Sequence, residues 1–278
     1  MKTVSRLTIL LILVSLVPSA TAADTKYLPD IQRIVDKGEL AVAVIAQDIP
    51  PMIVTGEKGR LQGFDPELAR AIAKALGVEV KFIRRARTFD EVVEQVASGV
   101  ADVGISYLTQ TPRRAMRIYF TRHYLTQNWS LLVNRVQSIR NGWDCPDFPE
   151  LEVAAKQEGK IGVLRGSSSA QLLETAIPEA LPERFKSFVE METAVRNGKV
   201  VASLQGEILA RGILRRYPRL RIYMKLCEMR DTDDLIAIAV RPDAPNLRYW
   251  LNVFLESRGI EFNADTIFQH EGIWKLTR

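Results

Sequence analysis

Cysteine and histidine are nearly missing from this chain, which has two of each in 278 residues. His123 and His270 stand apart, and neither is spaced with Cys, Asp or Glu as the ligands of a zinc-type centre would be, so no metal and no cofactor is expected. Cys145 and Cys227 leave two readings open, a single disulfide or two buried thiols, because spacing alone does not say whether they meet. There is no basic tract: the Lys and Arg residues are dispersed, which gives nucleic-acid or polyanion binding little support. Beyond the first twenty residues no apolar run approaches the roughly 18 residues that a membrane-spanning helix needs.

What is present begins with an export signal. Lys2 and Arg6 precede an apolar run from Leu7 to Val17, and Pro18 with Ala20, Thr21 and Ala22 closes it in the manner of a cleavage site. A signal peptide over residues 1–22 is therefore expected, and the residue after it, Ala23, is not the Cys that a lipid anchor requires. The processed chain would carry 36 basic and 33 acidic residues, a net charge of +3, and would reside in the periplasm. Its length suits one large domain or two medium ones, and 47% apolar residues supply a substantial core.

The order of elements favours two. Leu40 to Ile45 reads as a strand, Asp65 and Pro66 mark the start of a helix that Gly77 ends, and Val78 to Ile83 alternates like a half-buried strand. Phe89, Val92, Val93 and Val96 then repeat at helical spacing before a third strand at Ala101 to Ile105. The same β-α-β-α-β order returns at Lys160 to Leu164, Ser168 to Ala176, Phe185 to Val189, a helix ending at Asn197, and Val200 to Leu204. A last strand, Leu235 to Val240, and a helix with Leu247, Trp250, Leu251, Phe254 and Leu255 on one face must pack on an existing lobe. The expected fold is α/β, with one lobe formed by 34–127 plus 229–278 and a second by 128–228. Two crossings, near Thr126 to Asn128 and Met229 to Asp233, would form a hinge, with a ligand cleft at the carboxyl ends of the strands.

Four segments carry a family resemblance. They are Gly63-Phe-Asp-Pro-Glu-Leu-Ala-Arg-Ala-Ile-Ala-Lys-Ala-Leu-Gly77 after the Pro50-Pro51 turn, Asp102-Val-Gly-Ile-Ser106 with Thr111-Pro-Arg-Arg114, Tyr119-Phe-Thr-Arg-His-Tyr124, and Val163-Leu-Arg-Gly-Ser-Ser168. Over residues 34 to 275 the chain resembles the extracellular solute-binding proteins of family 3, the polar-amino-acid type that serves ABC importers. The resemblance implies a two-lobed periplasmic binding protein (Venus-flytrap) fold, a monomer working with an inner-membrane permease, and no enzyme activity.

It also assigns roles. Arg114 would grip a carboxylate with its planar fork of donors, and Thr109 would help. Phe89 would stack over the solute, and Ile49 would form part of the pocket wall. In the second lobe Gly166, Ser167 and Ser168 would offer a helix start to an anion, with Arg165 at the rim. Each has a plainer reading: Arg114 as a surface arginine beside Arg113, Phe89 and Ile49 as packing, Ser167 or Ser168 as a helix cap. Two positions depart from the family pattern. Gly206 stands where an Asp usually holds an α-ammonium group, with Glu207 beside it, and Tyr107 stands where a Gly is common. The ligand implied is a small carboxylate that need not be an α-amino acid. Two alternatives remain: a dehydratase acting on prephenate-like substrates, with Glu207 as its acid, or an accessory or sensor protein using Gln137 to Glu150 as a contact surface.

Overall fold

The computed structural model describes residues 26–140, 145, 160–176 and 182–269. The expected signal peptide, His270 and most of the Gln137 to Glu150 segment lie outside them. Eleven strands occur among the described residues: β1 Glu39–Ile45, β2 Val54–Thr55, β3 Leu61–Gln62, β4 Glu79–Ala86, β5 Val103–Gly104, β6 Tyr119–Asn134, β7 Ile161–Leu164, β8 Glu183–Phe185, β9 Ala202–Gly206, β10 Met224–Val240 and β11 Phe262–Asn263. Nine of them form one hydrogen-bonded path in the order β4-β1-β5-β10-β6-β9-β7-β8, with β11 against β6, while β2 and β3 pair separately.

The two β-α-β-α-β units are the two ends of that path. β1 runs parallel to β4 and β5, and β7 runs parallel to β8 and β9, each strand reached through a helical crossover. Two separate sheets joined by crossings were expected. Instead the crossings are themselves strands, because β6 and β10, 16 and 17 residues long, stay paired to each other while changing partners on their outer edges. β9 takes Trp129 to Val133 of β6, whereas β5 takes Ala239 and Val240 of β10 and β11 takes Leu125 and Thr126 of β6. Between these sets the β6–β10 register shifts, from Met229 opposite Trp129 to Asp233 opposite Asn128.

Helix starts follow the local chemistry with two corrections. Thr88 and Ser187 each accept a hydrogen bond from the N–H three residues on, Glu91 and Glu190, whose carboxylates return to the Arg87 and Lys186 N–H groups. This reciprocal capping ends β8 at Phe185 and begins the helix Phe188–Arg196, so the strand expected through Val189 is shorter. The other correction concerns Asp65, which is not the cap of the helix Phe64–Leu76. Gly63 holds that position at φ 110°, where an added Cβ would meet the carbonyls of Pro51 and Met52. Asp65, the second residue of the helix, is fully buried, and it accepts from the Tyr107 N–H and the Tyr124 hydroxyl instead.

The closing helix Pro245–Ser257 buries Leu247, Leu251, Phe254 and Leu255, and Asp30 of the helix Pro29–Lys37 caps its first turn by accepting from the Asn246 and Leu247 N–H groups. Among the described residues no helix is long and apolar enough to cross a membrane. Cys145 and Cys227 are bonded, with Cα atoms 5.2 Å apart, which settles the open cysteine reading and ties residue 145 to β10.

Candidate functional site

Where the two units face each other, a cavity is walled on one side by Phe89, Tyr107, Thr109 and Arg114 and on the other by Leu164, Ser167, Ser168, Phe188, Gln205 and Gly206. Trp129 and Asp234, on the long strands, contribute to it as well. The cavity is small, about 30 Å³, enough for about one water. The faces are drawn together by Ser168 Oγ donating to Thr109 Oγ1 at 2.8 Å and the Asp90 N–H donating to the Gly166 carbonyl at 3.2 Å. Gln47 adds contacts to the Lys186 carbonyl and the Phe188 N–H. The cleft is therefore closed.

Arg114 sits on the short helix Pro112–Ala115, whose cap, Thr111, accepts from the Arg114 N–H. Its side chain is only 3% exposed, so the surface reading fails on geometry. Nη1 donates to the Thr109 carbonyl at 3.0 Å, and Nε and Nη2 donate to Asp90 Oδ1 at 3.3 and 3.2 Å. Burial lowers the pKa of the guanidinium and Asp90 opposes that, but an arginine stays charged. The Asp90 contacts are longer than the 2.7–2.9 Å or so of a tight charge-assisted pair, and Asp90 itself is 40% exposed.

The two departures from the family pattern prove to be one feature. Tyr107 adopts φ 51°, held by its N–H donating to Asp65 Oδ2 at 2.6 Å. Its hydroxyl donates to Gln127 Oε1 at 2.6 Å, and that oxygen also accepts from the Ile208 N–H. A Cβ added at Gly206 would lie 2.5 Å from the Tyr107 hydroxyl and collide with the Gln127 amide. Tyr107 thus fills the space a side chain at 206 would need. Burial pushes the Asp65 carboxyl up to about 7, against hydrogen bonds from Tyr124 and Tyr107.

Of the residues singled out from sequence, Phe89, Tyr107, Thr109, Arg114, Ser167 and Ser168 come together at the cavity. Ile49 is buried elsewhere, bridged to Ile53, and the Gly166 carbonyl accepts at the seam from the Asp90 N–H and, at 3.5 Å, from Arg114 Nη2. Arg165 is exposed. Glu207 does not swing in to replace the missing Asp: it is buried at the start of the helix Glu207–Arg216, paired with Arg211 at 2.6 Å and accepting from the Asn128 N–H. Burial raises its pKa, and Arg211 opposes the rise. Sequence reasoning missed Gln205, Phe188 and Asp234. Burial pushes Asp234 up to about 6; the Thr109 hydroxyl stands close enough to favour the charged form without closing a bond to Oδ1, and Gln127 and Arg114 pull the same way. An acidic residue in a Thr-Asp-Asp-Leu stretch ahead of an apolar strand carries no signal of its own; only the pairing of β10 with β6 brings it inside.

Two α/β lobes closed over a buried arginine define the class of two-lobed solute-binding folds. Residues 41–260 match the family described as bacterial extracellular solute-binding proteins, family 3, and the chain belongs to it. It is 27% identical over 203 residues to a glutamine-binding protein of Geobacillus stearothermophilus, covering 73% of this chain and 72% of that one. It is 24% identical over 210 residues to an ABC transporter arginine-binding protein 1 of Escherichia coli, covering 75% and 80%. Among solved structures, an ancestral amino acid-binding protein described as a precursor of cyclohexadienyl dehydratase aligns with a TM-score of 0.70 at 26% identity, over 86% of this chain and 97% of that one.

Proposed function

We propose that the protein captures a small carboxylate-bearing solute between its lobes, outside the inner membrane, and delivers it to the permease of an ABC importer. The observation that carries this is the buried Arg114 fork at the cavity, loosely engaged by a half-exposed Asp90 that a ligand carboxylate can displace toward water. Relatives described as a glutamine-binding protein and as an ABC transporter arginine-binding protein support the class of solute. Binding requires the cleft to open, and closure then adds contacts from both lobes, so the ligand shifts the population toward its own closed form. Calorimetric titration of Arg114→Ala tests the reading: affinity should fall by on the order of 2 to 4 kcal/mol, the scale for removing one partner of a buried charged pair. An unchanged dissociation constant would remove Arg114 from the site.

A second reading, an acid-assisted elimination, is favoured by one observation, the raised pKa of Asp234 in the cleft. Glu207, the acid expected from sequence, does not line the cavity. Incubation with prephenate or arogenate discriminates: the binding reading expects both to be recovered unchanged.

A further inference from the structure

Asp234 is 2% exposed and lines the cavity from β10, beside the stretch where that strand passes between the lobes. Its Oδ2 accepts from Gln127 Nε2 at 2.7 Å, and its buried Oδ1 has no hydrogen-bond partner. An ionised carboxylate only accepts, so a bare buried oxygen lacks a donor. The Gln127 amide is already committed at both ends, Arg114, whose charge reaches Asp234, is engaged by Asp90 and the Thr109 carbonyl, and the Thr109 hydroxyl, near enough to favour the charged form, closes no bond to Oδ1. Gln205, on the same cavity, also has both amide atoms buried and unpartnered. Unmet polar groups gathered in one enclosed space are where a ligand's own polar groups go.

We propose that Asp234, on the strand joining the lobes, is the specificity-determining acceptor of this cleft and takes a cationic nitrogen of the solute, an ammonium or a guanidinium. This rests on the cleft being the solute site, and it revises the expectation that a carboxylate clamp acts alone. Position 206 cannot supply the acid, because the Tyr107 hydroxyl and the Gln127 amide fill its space. Charge balance points the same way. Arg114 faces two carboxylates, Asp90 and Asp234, so the cleft holds one negative charge in excess. A solute whose carboxylate releases Asp90 to water and whose cation meets Asp234 leaves no buried charge unpaired. Because Asp234 belongs to the hinge strand, the cation is recognised before the lobes close.

The test is calorimetric titration of the refolded, ligand-stripped protein with L-arginine, L-glutamine, glutaramate (glutamine without its α-amine) and agmatine (arginine without its carboxylate). The tighter-binding of the two amino acids should exceed glutaramate by on the order of 30-fold or more, and Asp234→Asn should erase the margin while leaving glutaramate binding intact. Glutaramate binding the unaltered protein as tightly as that amino acid would overturn the assignment, as would a margin that survives the substitution; the ranking in the unaltered protein decides even if the variant folds poorly. Agmatine binding as tightly as L-arginine, and lost in Asp234→Asn, would support the acidic subsite and sink carboxylate capture. Absence of binding by all four overturns both.

Discussion

Replacing Asp234 by Asn changes stability in a way that needs no ligand. Burial raises this carboxyl from its ordinary value of 3.8 to about 6. The folded state therefore holds a proton that the unfolded chain has already released between those two values, and stability falls as pH rises through that window. Below about pH 4 both states are protonated and there is no penalty; above about pH 6 the penalty is complete. A shift of roughly 2 units at about 1.4 kcal/mol each gives about 3 kcal/mol. Asn keeps the contact with Gln127 through its oxygen but turns an NH₂ group toward the bare side, which costs about 1 kcal/mol or more. The net expectation is a gain of about 1 to 2 kcal/mol at pH 8, or roughly 2 to 8 °C in melting temperature for a chain of this size. Asp65, also raised by burial, shapes both profiles alike and cancels in the difference. Thermal melts of the two stripped proteins from pH 4 to pH 8 read the effect. A variant no more stable than the parent at pH 8, or a difference that ignores pH, would refute the argument that Oδ1 lies bare in the cavity.

The other predictions concern closure and the frame around it. A side chain at Gly212, in the helix Glu207–Arg216, would be driven into the backbone oxygen of Pro50 on the opposing lobe. Gly212→Ala should hold the lobes apart, seen as a larger radius of gyration in X-ray scattering; an unchanged radius would mean that the Pro50 turn yields instead. Reducing the disulfide between Cys145 and Cys227, 82 residues apart, should cost about 2 to 4 kcal/mol in denaturant unfolding, and no shift would mean that the bond constrains nothing the fold needs. Ser187→Ala removes the cap of the helix Phe188–Arg196 and should cost about 1 kcal/mol, with Ser187→Asp recovering most of it.

The lobes were legible because helix and strand alternate twice, and because Gly99 and Gly198, both at positive φ, mark equivalent helix ends. Helix starts were less so. Asp65 and Pro66 look like a cap and a first turn, but the close approach of residues 51 and 52 demands a glycine at 63 and frees Asp65 for the core. Arg114 and Thr109 could be read because both lie in or just before one local T-x-x-R segment, Thr111 to Arg114. Asp234 and Gln205 could not, since they reach the cavity only through the long-range pairing of β10, β6 and β9.

Tyr107 shows how one side chain can shape a cleft. At φ 51° a tyrosine is under strain, and it persists because Asp65 takes its N–H while Gln127 takes its hydroxyl. That hydroxyl and the Gln127 amide fill the space beside Gly206, and the glycine leaves no acid at that point of the second lobe's wall. Gln127, fixed by Tyr107 and the Ile208 N–H, then turns its amide to Asp234 and fixes the acid that remains. The chain from Asp65 to Asp234 therefore runs through hydrogen bonds with a single direction of donation at each link. Moving the acid from a closing lobe to a joining strand changes when charge is recognised: the solute meets Asp234 in the open protein, and closure is left to bring up the neutral wall of Ser168, Gln205 and Phe188.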